Sequence, residues 1–157
     1  MFRQTGSSFP FLLFQDDCYL LNPQLHIWAD CVAFAEHCVL GRSLEKRGEP
    51  QKADREYRAA EALYQDEFLA DDRYEDWLLA QRENLQRTYL GLLDRLGQYE
   101  LEQGSPEACI TLLQKILSVE PCNEDAHMRL MLCHSQQGQR HLALRQHHQY
   151  VSQLKQE

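Results

Sequence analysis

Residues 96–157 read LGQYELEQGSPEACITLLQKILSVEPCNEDAHMRLMLCHSQQGQRHLALRQHHQYVSQLKQE. Two glycines punctuate this stretch, Gly104 and Gly138, 34 residues apart. The same spacing relates Leu96 to Leu130, Cys109 to Ala143 and Ile116 to Tyr150. A fixed period of this size means stacked copies of one supersecondary unit, each too small to bury its own apolar face. The unit has Gly in a turn, a small residue five positions on, a large apolar residue four beyond that, and a second small residue three further. Read backwards from Gly48, the rule finds Ala53, Tyr57 and Ala60, and Leu40-Gly41 falls where the second unit has Leu96-Gly97. Three units result, at about 34–67, 90–123 and 124–157, and Pro121 closes the second. Gly48 and Gly104 are 56 apart, so 22 residues are inserted between the first two units.

Thirty-four residues is the period of the tetratricopeptide repeat, a helix-turn-helix unit. The expected fold is all-α, a right-handed superhelix of about three such repeats, with a bland helical bundle as the competing reading. Composition agrees. Leu occurs 25 times and Gln 17 times, against 10 for Val, Ile and Thr together, which nearly excludes a β fold. Asp30 is expected to cap a first helix running to about Arg47, with Val32, Ala35 and Val39, and Ala33, His37, Leu40 and Leu44, as its apolar stripes. Gly48 ends it, and Pro50 starts a second helix to about Tyr64 striped by Ala53, Tyr57, Ala60 and Leu63. A long amphipathic helix from Tyr74 to Gly104 follows. Three shorter ones follow from Pro106 to about Val119, Glu124 to Gln137 and Gln139 to Leu154. Before them, Phe9–Phe14 and Cys18–Asn22 around Gln15-Asp16-Asp17 read as a β-hairpin, and Leu25-His26-Ile27-Trp28 as a third short strand. Strands this few cannot stand alone in water and need a partner surface. The division expected is residues 1–29 as tail and hairpin, and 30–157 as the helical domain.

The net charge of the 157 residues is −8, from 16 Lys and Arg against 24 Asp and Glu. Such a chain is a poor free-standing ligand for phosphates. The acidity is local, since residues 61–76 hold seven acids and one Arg. That segment reads as a solvated loop or a docking surface for a basic partner, with Phe68 and Leu69 tucked under it. No apolar run is long enough to cross a bilayer, and no export signal opens the chain, so a cytoplasmic protein without membrane contact is expected. The six cysteines, none in a C-x-x-C pair, read as reduced thiols.

The insertion carries a resemblance. EFLADDRYEDWLLAQRENLQRTYLGLLDRL, with Phe68, Leu69, Asp76, Trp77, Arg82, Leu85, Tyr89 and Leu93 at the matching positions, resembles the bacterial transcriptional activator domain. That domain is the helical-repeat half of antibiotic-regulatory-protein (SARP) type transcription factors. EDAHMRLM is similar to the family's last repeat through Ala126, His127 and Leu130. CYLLNPQLHIWADCVAF is similar to its lead-in through Tyr19, Leu20, Trp28, Asp30 and Phe34. The likeness covers about residues 9–155. Asp66-Glu67 stand where the family usually has Gly, and His147 where Tyr is usual. The resemblance implies that the hairpin is the last wing of a winged-helix domain whose DNA-reading helix is absent from this chain. It implies a protein-contact role for the remainder: self-association, docking to another regulator or the transcription machinery, or signal transmission.

No catalytic pattern is present: no phosphate-binding G-x-x-x-x-G-K-[ST], no G-x-G-x-x-G, no H-E-x-x-H, no G-x-S-x-G. A non-enzymatic module without cofactor or metal is expected. Five of the seven histidines fall in the last unit. His127, His134 and His147 take positions that normally pack inside a unit, and with Cys133 they form a conceivable zinc set. The plainer reading is a terminal repeat that tolerates polar residues, or a pH-sensitive end. The 12 Arg against 4 Lys suit pairing with the many carboxylates. The repeat frame assigns an interaction groove to Cys38, Arg42, Asp94, Gln98, Leu101, Met128, Leu132 and Ser135. The alternatives to a regulator module are a stand-alone repeat adaptor unconnected with transcription and a small-molecule sensor using the same groove.

Overall fold

Gly48, Gly104 and Gly138 all adopt φ of 74–75°, the left-handed region that residues with a Cβ avoid. Each closes a helix in the same way. Glu49, Ser105 and Gln139 donate their N–H back to Leu44, Glu100 and His134, and each glycine donates to the residue three before it. One local device, repeated, joins the two helices of each of the three units. The computed structural model describes residues 12–15, 17–23, 28–65 and 76–155. In order these form β1 (Leu12–Gln15), β2 (Cys18–Leu21), α1 (Asp30–Lys46), α2 (Pro50–Leu63), α3 (Asp76–Glu102), α4 (Pro106–Val119), α5 (Glu124–Gln136) and α6 (Arg140–Leu154).

Starts are set as firmly as stops. Pro50 and Pro106 open α2 and α4, where a missing N–H costs nothing. Asn123 caps α5, its side chain accepting from the Ala126 N–H at 3.0 Å. The expected cap at Asp30 is corrected. Ala29 holds the extended cap conformation, and Asp30 is the first helical residue, its Oδ1 accepting from the Cys31 N–H at 2.7 Å. A carboxylate in the first turn still complements the helix dipole.

Helices pair as α1 with α2, α3 with α4 and α5 with α6; α2 then packs on α3, and α4 on α5. This is the stacked helix-turn-helix order the period predicts. The core follows the seams: Phe34, Cys38, Ala53, Tyr57 and Ala60 in the first unit; Leu92, Leu93, Leu96, Cys109, Leu113 and Ile116 in the second; Ala126, Leu130 and Cys133 in the third. The apolar stripes assigned to α1 are corrected for the most part. Val32, Val39 and Leu40 are exposed, and the buried face is Phe34, Cys38, Gly41 and Leu44. Small residues on that face admit the α2 ring of Tyr57, and this closeness, not side-chain size, decides which side of α1 is inside.

β1 and β2 pair antiparallel from Leu12↔Leu21 to Gln15↔Cys18, so the turn is two residues rather than three. Asp17 takes φ of 60°, which Asp tolerates. Phe14 and Tyr19 meet at 5.0 Å, yet Leu12, Phe14, Tyr19 and Leu20 remain exposed, and among the described residues neither strand packs on a helix. The expected third strand falls mostly on residues 24–27, and Phe68 and Leu69 with most of the acidic insertion on 66–75. Both lie outside the described residues.

Candidate interaction groove

The junction of α1, α2 and α3 is organised by Glu45. Its carboxylate accepts from the hydroxyl of Tyr57 at 3.0 Å and of Tyr99 at 2.6 Å, with Arg95 Nε 3.9 Å away. Burial, and then the carboxylate that takes their protons in hydrogen bonds, pushes both phenols above the usual tyrosine range. Around this cluster lies a depression of about 630 Å³ lined by Arg42, Glu45, Lys46, Pro50, Arg95 and Tyr99. A smaller one of about 240 Å³ beside it is lined by Cys38, Arg42, Glu45, Tyr57, Leu92 and Arg95.

Of the residues the repeat frame assigns to a groove, Arg42 is exposed here, with no carboxylate partner among the described residues. Cys38 is closed from solvent beneath it; burial raises its thiol to about 11, partly offset by Arg42. Asp94 and Gln98 are half-buried and joined, Gln98 Nε2 donating to Asp94 Oδ2 at 3.2 Å. Asp94 also pairs with Arg129 across to α5 at 2.5 Å, and Arg95 Nη1 donates to Gln98 Oε1 at 3.1 Å. Leu101 is half-buried against the core. Met128, Leu132 and Ser135 form an exposed stripe along α5. The frame missed Arg95, Arg129, Glu45 and Tyr99, which supply most of the polar bonds at this surface. One signal was there to find, since Arg95 and Arg129 are themselves 34 apart.

The described motif residues of the long helix face inward. Arg82 is buried, and Tyr89 stacks on Tyr64 with centroids 3.9 Å apart and planes at 11°. Leu93 is fully buried and Leu85 partly so. Asp76 and Trp77 open α3, their side chains lying outside the described residues.

The histidines of the last unit do not converge. His127 is buried, its Nε2–H donating to the Pro121 carbonyl at 2.8 Å and its Nδ1 accepting from Gln146 at 2.6 Å, with Tyr150 4.6 Å away. Both ring nitrogens are therefore occupied in the neutral form. His134 is half-buried beside Gln139, and His147 is exposed rather than inside the unit. Position 147 corresponds to buried Tyr57 and Leu113, but no helix among the described residues covers it. Among the described residues no group of three His, Cys, Asp or Glu is placed to hold a metal ion. Cys109 and Cys133 sit together, fully buried and unbonded; burial and then its neighbour raise the Cys109 thiol to about 12. No described helix is long and apolar enough to cross a membrane.

A family model described as bacterial transcriptional activator domain matches residues 29–157, from the residue before α1 to the end of the chain. The chain belongs to this family. The activator domain thus takes in all three repeats and the long α3, and leaves the hairpin outside. A comparison with curated proteins finds no match. Among solved structures, the domain is similar to the TPR domain of Arabidopsis FLU, with a TM-score of 0.51 and 16% identity over 82% of this chain and 100% of that one. At that identity the likeness establishes the tetratricopeptide-like fold and nothing finer.

Proposed function

We propose that this activator domain is the assembly and signal-transmitting half of a cytoplasmic bacterial transcription regulator, non-enzymatic, with DNA read by a winged-helix domain that precedes it. The observation that carries this reading is the family match across residues 29–157. The groove supports it. Arg42 and Lys46 flank the depression without carboxylate partners among the described residues, while Met128 and Leu132 expose apolar surface on α5. Such a surface suits a protein segment carrying carboxylates and a few apolar side chains.

A mobility-shift assay at moderate salt tests the division of labour. This chain alone is expected to give no sequence-dependent shift, and the chain joined to its winged-helix domain a specific one; tight, sequence-dependent binding by this chain alone refutes the reading. A combined Arg42→Ala, Gln98→Ala, Leu132→Ala variant is expected to keep its helical spectrum and to lose transcriptional activation in the joined protein. The tetratricopeptide-like fold shared with the FLU domain supports a second reading, a repeat adaptor unconnected with transcription. The coding sequence upstream of Met1 separates the two, since the regulator requires a helix-turn-helix there.

A further inference from the structure

Among the described residues, the two ends of the repeat stack are open in complementary ways. In the repeat frame, Glu36 and Leu40 of α1 correspond to Leu92 and Leu96 of α3 and to Ala126 and Leu130 of α5. Leu96 and Leu130 are each 1% exposed, covered at the seams where α2 packs on α3 and α4 on α5, whereas Leu40 is 45% exposed. No helix precedes α1 among the described residues, and beside it lies an apolar groove of about 670 Å³ that includes Val32, Val39 and Leu40, with Gln81, Asn84 and Leu85 of α3 as its other wall. The other end mirrors it. Tyr57 and Leu113 are buried at matching positions of α2 and α4, Tyr57 between Gly41 of its own unit and Tyr99 of the next, while His147 of α6 is exposed. Beside it Leu144 is 63% exposed, and among the described elements α6 contacts α5 alone.

We propose that copies of this chain stack head to tail, the outer face of α6 in one copy covering the open face of α1 in the next. This deepens the interaction role proposed above by naming a second copy as partner, and it rests on that reading only for its regulatory meaning. The seam is the one the chain already makes twice within itself, where α2 meets α3 and α4 meets α5. Charge matches as well. Residues 126–156 contain no Asp or Glu, so α6 offers Arg145, His141 and His148 around Leu144, while the open face of α1 carries exposed Glu36. Because the two surfaces differ, the contact is heterologous and extends into an array or a ring of three or more copies instead of closing as a symmetric pair.

Sedimentation of the chain over a wide concentration range tests this, with Leu40→Arg and Leu144→Arg as end-blocking variants, whose blocked faces repel each other. Both substitutions fall on exposed helix positions, so the fold is retained, as far-UV circular dichroism can verify. The wild-type mass should climb with concentration without a plateau at the dimer. Each variant alone should associate at least about tenfold more weakly. An equal mixture of the two should regain association and stop at the dimer, because one intact α1 face and one intact α6 face remain. That rescue also shows that each variant is folded at its unblocked end. A chain that stays monomeric at every concentration overturns the proposal, since another occupant then covers α1. Association by either variant alone as strong as that of the wild type overturns it too, since the contact then does not use that face. Either result leaves the mobility-shift prediction untouched.

Discussion

Gly41 is the position where side-chain size is decided most sharply. A Cβ built there would lie 2.5 Å from Cε1 and 2.8 Å from Cδ1 of the Tyr57 ring. Gly41→Ala is therefore expected to destabilise the chain by about 1–3 kcal/mol through overpacking. Gly91 is also helical but has nothing within 4 Å of its would-be Cβ. Gly91→Ala should stabilise by up to about 1 kcal/mol from helix propensity alone. Denaturant midpoints of the two variants check the pair, and equal effects of one sign would refute the packing account. The sequence marked Leu40-Gly41 as a repeat pair because the same pair recurs at Leu96-Gly97. It could not show that the two glycines face different loads, for Gly97 meets only the Cys109 sulfur at 3.7 Å. His127 was legible as an inside position but not as a satisfied one. Its partners, Pro121 and Gln146, come from a turn and a neighbouring helix whose register the sequence does not display.

Among elements, the period made α2, α4 and α5 readable to within a residue or two, because glycine turns, proline starts and small-residue spacing all agree. α1 was harder. Its exposed Val32, Val39 and Leu40 imitate a core stripe, since a terminal repeat keeps the face that inner repeats bury. The groove was half legible for a related reason. Single-helix positions such as Arg42, Asp94 and Gln98 follow from the frame, but the Glu45 cluster joins three helices and needs their mutual placement. That cluster carries a pH prediction. Tyr57 and Tyr99 have raised values in the folded chain, so the native state holds their protons more tightly than the unfolded one. The stability they contribute is complete below the unfolded phenol value of about 10 and is lost as pH rises past it. Urea midpoints measured from about pH 8 to about pH 11 should fall with pH for the wild type. They should fall less for a Tyr57→Phe, Tyr99→Phe variant, and identical slopes would remove Glu45 as the anchor.

At the scale of the molecule, stability is a chain of nearest-neighbour seams. The second unit is covered on both sides, whereas α6 buries no residue fully and contacts α5 alone. Amide exchange should accordingly be slowest in α3 and α4 and fastest among the helices in α6, with opening free energies there lower by about 1 kcal/mol or more. Uniform protection across the six helices would show a single cooperative block instead. The gradient belongs to dilute chain, as any cover on α6 would raise it. The negative charge read from composition sits mainly in the insertion between the first two units, so it describes one segment and not the repeat surfaces, whose last unit is basic.

The insertion also lengthens α3 to 27 residues, Asp76 to Glu102, in one unbroken helix. At 1.5 Å per residue that is a rod of about 40 Å, far longer than a repeat requires. Both halves of it are packed: Leu78, Arg82 and Tyr89 are buried in the first, and Leu92, Leu93 and Leu96 in the second. A tilt of only about 5° about one end would swing the other by about 3–4 Å. The helix is thus a tie rod: repacking around its last turns reaches the buried Leu78 and Arg82 magnified, as a displacement large enough to make or break their contacts.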